Sequence, residues 1–155
     1  MGGTTSTASV IGHDATIDLT QTGDTNTISM YYNNASGGVS NPKAIISQTG
    51  DRNSVTSDQH GYAHESTISQ NGDDNTAHVE TGRSNSHIGN QFNVSQQGDN
   101  LRAYVEQDGS GNSMITDQYC NNACVTSDMR IVVSGNSNSV YSCLLYTSPS
   151  PRDSV

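Results

Sequence analysis

Gln107-Asp108-Gly109-Ser110-Gly111-Asn112-Ser113-Met114-Ile115-Thr116-Asp117-Gln118 is the stretch on which the reading of this chain turns. A Gln closes a strand, a Gly-rich turn ending in Asn follows, an apolar residue opens the next strand, and a second Gln stands eleven positions after the first. The same grammar extends outward from it. Thr20-Gln21-Thr22-Gly23-Asp24-Thr25-Asn26-Thr27-Ile28, Ser47-Gln48-Thr49-Gly50-Asp51-Arg52-Asn53-Ser54-Val55 and Ser69-Gln70-Asn71-Gly72-Asp73-Asp74-Asn75-Thr76-Ala77 are three further copies. Ser95-Gln96-Gln97-Gly98-Asp99 opens another, in which Asn100-Leu101 breaks the Asn position. Gln118 opens the next, with Cys120 where Gly is expected.

The spacing sets the size of the repeat. Gln21, Gln48, Gln70, Gln96 and Gln118 are separated by 27, 22, 26 and 22 residues. A second column runs between them: Gln59 lies eleven residues from both Gln48 and Gln70, and Gln107 eleven from both Gln96 and Gln118. Glu80 with Gly82 and Asn85, and Val133 with Gly135 and Asn138, read as degenerate members. A strand-turn unit is therefore about eleven residues and a two-unit rung about 22. The longer steps hold inserted loop residues, as between Asn33 and Pro42.

Elementary chemistry accounts for this grammar. Rungs stacked at the strand spacing of about 4.8 Å place identical residues over one another. Gln21, Gln48, Gln59, Gln70, Gln96, Gln107 and Gln118, with Asn26, Asn53, Asn75 and Asn112, are then expected to form ladders of side-chain amides along the axis. Gly23, Gly50, Gly72, Gly98 and Gly109 supply the corners, where positive φ or close backbone approach is required. Asp and Asn suit the same turns because their side chains bond nearby backbone groups. Ile17-x-Leu19, Ile28-x-Met30, Phe92-x-Val94, Ala103-x-Val105 and Ile131-x-Val133 alternate as half-buried strands do. A disordered Ser/Thr/Asn/Gly linker needs neither that alternation nor a fixed Gln spacing. The predicted fold is all-β, a β-solenoid of about five to six two-stranded rungs over residues 10–142, behind a flexible lead at 1–9.

Composition agrees. Hydrophobic residues make up 30% of the 155, too few for a large side-chain core. A solenoid needs less, because each rung buries itself against its neighbours. There are three Pro, as suits a chain that must donate ladder hydrogen bonds along most of its length. The net charge of −9, with six Lys and Arg in all, argues against a nucleic-acid surface. Asp24, Asp51, Asp73 and Asp99 would stack along one edge, where salt or a divalent cation would relieve their repulsion. The Gly-Gly-x-Gly-x-Asp calcium repeat is missing, so a plain turn ladder is the reading adopted. No stretch is apolar enough for a membrane span, and Met1 to Ser9 lacks the basic and apolar regions of a signal peptide.

The repeat resembles that of the curlin family of bacterial curli fibres, Ser-x5-Gln-x-Gly-x-Gly-Asn-x-Ala-x3-Gln. Gln107, Gly109, Gly111, Asn112 and Gln118 fit it, with Met114 in the Ala position. Gln48, Gly50, Asn53 and Gln59 also fit, with Arg52 for the second Gly and Val55 for Ala. The leading Ser is absent, since Leu101 and Pro42 stand in its place. The resemblance implies a self-assembling extracellular or cell-surface fibre subunit serving adhesion and biofilm matrix, whose partner is another copy of itself. The alternative is a solenoid that does not polymerise, such as an adhesin or a phage virion protein.

Candidate chemistry is sparse. Of the five His (His13, His60, His64, His78 and His87), His60 and His64 would share a helix face, but the repeat puts them on a β-turn, so they read as solvated turn residues. No nucleophile elbow, phosphate loop or metal-protease motif is present, so neither an enzyme nor a cofactor is expected. Cys120 and Cys124 flank a turn and either close a small disulfide or remain free thiols; two Cys alone do not make a zinc site. Cys143 to Asp153 reads as a translated sequencing-library adaptor, and 143–155 is set aside as a non-native tail.

Overall fold

The alternation flanking each Gln becomes twelve β-strands in a computed structural model, which describes residues 3–11, 14–33, 41–82, 87–121 and 126–147. In chain order they are β1 (Thr5–Ile11), β2 (Thr16–Thr22), β3 (Thr27–Asn33), β4 (Lys43–Thr49), β5 (Ser54–His60) and β6 (Glu65–Asn71). There follow β7 (Thr76–Thr81), β8 (Gln91–Gln97), β9 (Leu101–Asp108), β10 (Ser113–Asn121), β11 (Ser127–Ser134) and β12 (Ser139–Thr147). The odd-numbered strands pair in the order β1-β3-β5-β7-β9-β11, and the even-numbered ones in the order β12-β10-β8-β6-β4-β2. Every pairing is parallel. Parallel neighbours within one chain require a crossover between them. Here the crossover is a strand of the opposite sheet, so the chain winds as a two-sheet β-solenoid.

Side chains alternate across each strand. In β6, Ser66, Ile68 and Gln70 are buried while Glu65, Thr67, Ser69 and Asn71 are exposed. Ile28, Ile46, Val55, Ile68, Val79, Phe92, Val94, Val105 and Met114 meet between the sheets in one apolar cluster. That seam is narrow. Its remaining width is filled by amides, with Gln48, Gln59, Gln70, Gln96, Gln107 and Gln118 all buried.

The solenoid reaches beyond its expected limits at both ends. Thr5 to Ser9 lie in the stretch read as a lead, yet they belong to β1, in register with Thr27–Asn33. A low-complexity Ser/Thr run has little apolar patterning of its own, and an adjacent strand supplies the template. At the other end β12 continues past Ser142 to Thr147, pairing Cys143 with Asp117 and Leu144 with Gln118.

Candidate functional site

The even sheet holds one continuous column of amides. Gln21, Gln48, Gln70, Gln96 and Gln118 stand opposite one another in successive registers. Each Nε2 donates to the next Oε1: Gln21 to Gln48 at 2.7 Å, then Gln48 to Gln70, Gln70 to Gln96 and Gln96 to Gln118, each at 2.8 Å. The second proton of Nε2 goes to a carbonyl of the facing sheet, as from Gln48 to Thr27 and from Gln70 to Ser54, both at 3.1 Å. The ladder thus also ties one sheet to the other. Such a chain of satisfied bonds polarises along its length.

The odd sheet does not repeat this. Its column in the same register runs Tyr32, Gln59, Thr81, Gln107, Val133. Gln59 and Gln107, expected in the ladder, are separated by Thr81. Gln59 donates to Ser57 and Ser66, and Gln107 to the Gln91 carbonyl. Among the described residues, Gln59 Oε1, Thr81 Oγ1 and Gln107 Oε1 have no hydrogen-bond partner, although all three residues are fully buried. Thr81, not Glu80, is the degenerate member of the repeat here. Glu80 is on the outer face, opposite Asp58 and Glu106.

The Asn residues organise the corners. Asn26, Asn53 and Asn75 are buried, and each Oδ1 accepts the backbone N–H of the residue stacked on it: Asn53 at 2.9 Å, Asn75 at 3.0 Å and Leu101 at 3.0 Å. Each Nδ2 donates to a glycine carbonyl of the next turn, Gly50, Gly72 and Gly98 in order. Leu101 ends this column because it has no acceptor to pass on; it packs instead against Cys120. Gly50 shows why the corners need glycine. Its φ is +107°, and an added Cβ would run into the Gly72 carbonyl of the stacked turn. The Asp51, Asp73 and Asp99 carboxylates accept the amides of Asp24, Asp51 and Asp73 at 2.7–2.8 Å. Beside them, the Arg52 guanidinium binds Asp74 through two bonds of 2.7 Å and holds that carboxyl below its ordinary range.

The opposite corner is built from Asn90, Asn112 and Asn138, with Asn112 N–H on Asn90 Oδ1 and Asn138 N–H on Asn112 Oδ1, both at 3.0 Å. Asn90 and Asn138 were not among the expected ladder residues. At the head of this column stands His64, which corrects the reading of that residue as solvated: it is 0% exposed. Its Nδ1 accepts the Asn90 amide at 3.1 Å, and its Nε2 lies 2.7 Å from the His60 carbonyl. The signal was present in Gln59-x-Gly61-x-x-His64, where His occupies the Asn position five residues after Gln. Burial pushes its pKa below the ordinary value, against the His60 carbonyl bond, which raises it.

Elsewhere on the odd sheet's outer face, the His78 and Tyr104 rings stack at 5.0 Å and Arg130 lies 5.2 Å over Tyr104. Burial, then the neighbouring Glu106 carboxylate, raises the Tyr104 pKa. Among the described residues no group of three or more His, Cys, Asp or Glu is placed to hold a metal ion. Cys120 is in the strand β10 and stacks on Gly98, so the backbone continues as strand where the sequence suggested a turn. It is disulfide-bonded, and Cys143 is free. Cys124, Asn85, His13 and residues 148–155 lie outside the described residues.

These features define a class first: a two-sheet β-solenoid of repeated Gln-x-Gly-x-x-Asn strand-turn units. The Curlin associated repeat then matches the chain at residues 50–82 and 89–119, and these two stretches carry the repeat unit that the fold stacks. Comparisons with curated proteins and with solved structures return no match.

Proposed function

We propose that the chain is a structural subunit that assembles with copies of itself into a curli-like fibre at the cell surface or outside the cell, serving adhesion or biofilm matrix. The observation behind this reading is the in-register Gln column of the even sheet. It repeats one hydrogen-bonded unit along the axis, as a cross-β stack does. Strands β1, β2, β11 and β12 each have a single strand neighbour. Edge strands of this kind add a further strand unless something covers them. Electron microscopy and fibre diffraction of the full chain, incubated at neutral pH, test the reading. Unbranched fibres with a repeat near 4.8 Å are expected; discrete particles that stay monodisperse would overturn it.

The second reading, a non-polymerising solenoid that binds through its long face, draws on the odd sheet. Its outer face carries Asp58 and Glu80 on successive strands, with Glu106 beside them but buried, within a chain of net charge −9. Like charges at strand spacing oppose close lateral packing of that face. On this reading it serves as an adhesin or a virion part, and no catalytic role is proposed.

A further inference from the structure

His64 takes the place of an Asn whose side chain has no titration near neutral pH. In the other columns an amide passes the hydrogen bond from rung to rung, and its acceptor oxygen is indifferent to pH. Here the acceptor is an imidazole nitrogen. The Asn90 N–H points at Nδ1, so that nitrogen is unprotonated and the ring's single proton is on Nε2, donated to the His60 carbonyl. The ring has little room to turn. A Cβ built on Gly61 or Gly82 would lie 2.9 Å or 3.1 Å from Nε2, so both glycines leave space that the imidazole fills.

We propose that this corner is an acid-sensitive latch, in which protonation of His64 at Nδ1 expels the Asn90 amide and opens the solenoid between β6 and β8. An imidazolium has donors on both nitrogens. Its Nδ1 proton would face the Asn90 N–H, leaving two donors opposed in a buried site without an acceptor. Among the described residues nothing charged at the site offsets this. From the end of β5 the neighbour is His60, whose Nε2 is 3.0 Å from Asp58 Oδ1. From the segment before β8 it is His87, whose Nδ1 lies 3.3 Å from both the Asp108 carboxylate and the Gly109 amide. Asp58 and Asp108 therefore already face their own histidines. On the flanks, Glu65 follows His64 in the chain and is exposed, and Lys43, also exposed, donates its amide to the His64 carbonyl. After burial, the nearby His87 and His60 also disfavour a charge on His64.

The sign follows from the buried ring. Its pKa in the folded chain lies below the value near 6.5 that an unfolded chain restores. The contribution to stability is complete above that unfolded value and is lost as pH falls through the folded one. The inference does not depend on fibre assembly, because the latch acts within one chain.

Thermal unfolding of the freshly prepared full chain, followed by circular dichroism at pH 7.5 and pH 5.5, tests it against His64→Asn. That substitution extends the Asn column and removes the titration. The wild-type midpoint is expected to fall at least ~3 °C further than that of the variant across this interval; equal falls would overturn the proposal. A second measurement needs no variant. In the wild type, imidazole nitrogen shifts should report an Nε2–H tautomer at pH 7.5. The Asn90 amide should lose exchange protection with the same midpoint as the His64 titration, while Asn53 and Asn75, in the corner without histidine, keep theirs. Simultaneous loss at Asn90 and Asn53, or a neutral His64 throughout, would overturn it.

Discussion

The two sheets face each other across one seam with similar sequences, yet one carries a continuous amide ladder and the other an interrupted one. In the even sheet five glutamines pass hydrogen bonds along the axis. In the odd sheet Thr81 stands between Gln59 and Gln107, and the side-chain oxygens of these three residues have no hydrogen-bond partner among the described residues. The difference teaches that a residue type does not make a ladder. A Gln buried beside another Gln satisfies both amide protons and its oxygen. A Gln buried beside Thr or Val is left with an acceptor that nothing reaches, and that loss offsets part of what burial contributes.

The sharpest way to break the comparison is to remove the middle of the complete ladder. Gln70→Ala takes away the acceptor of Gln48 and the donor to Gln96 and Ser54. It should cost about 3 kcal/mol, and adding Gln48→Ala should cost more, because buried amide groups are left unmatched. Urea unfolding followed by circular dichroism checks this. A smaller loss is expected in the interrupted column. Gln107→Ala breaks one bond, to Gln91, and should cost about 1–2 kcal/mol. Should the two substitutions cost the same, the ladder would have no special weight.

Repairing the fault is a finer test. Thr81→Gln would place an amide between Gln59 and Gln107, which it faces in register on either side. A gain of about 1 kcal/mol in the same assay is the expected outcome; a fall would mean that the longer side chain overfills the seam. The smallest effect belongs to the turn surface. Arg52→Ala removes a well-formed but exposed ion pair with Asp74. Solvent screens such pairs, so the unfolding midpoint should not move measurably. A midpoint shift comparable to that of Gln70→Ala would assign the stability to the corners instead of the ladder.

Much of this was legible from residues alone. Eleven-residue spacing, alternation and Gly-Asp corners led to a two-strand rung, and the Gln21–Gln118 positions fall in one column. Other features were not. The insertions that lengthen some steps hide which strands are neighbours, so Glu80 looked like a repeat position where Thr81 is the one in register. His64 read as a solvated turn residue because a lone His in a polar turn has no apolar neighbours to mark it as buried. Its burial comes from stacked turns whose glycines leave room for the ring.

By itself the sequence determined the local unit: strand, glycine corner, amide, strand. Those choices depend on φ preferences and on alternation, which act over a few residues. Only the tertiary structure decided which units lie over one another, and therefore which amides meet, that a ladder is interrupted at Thr81, and that the histidine at one corner is buried. Stacking register is a non-local property, fixed by hydrogen bonds between residues about 22–27 positions apart, and no window of a single repeat contains it.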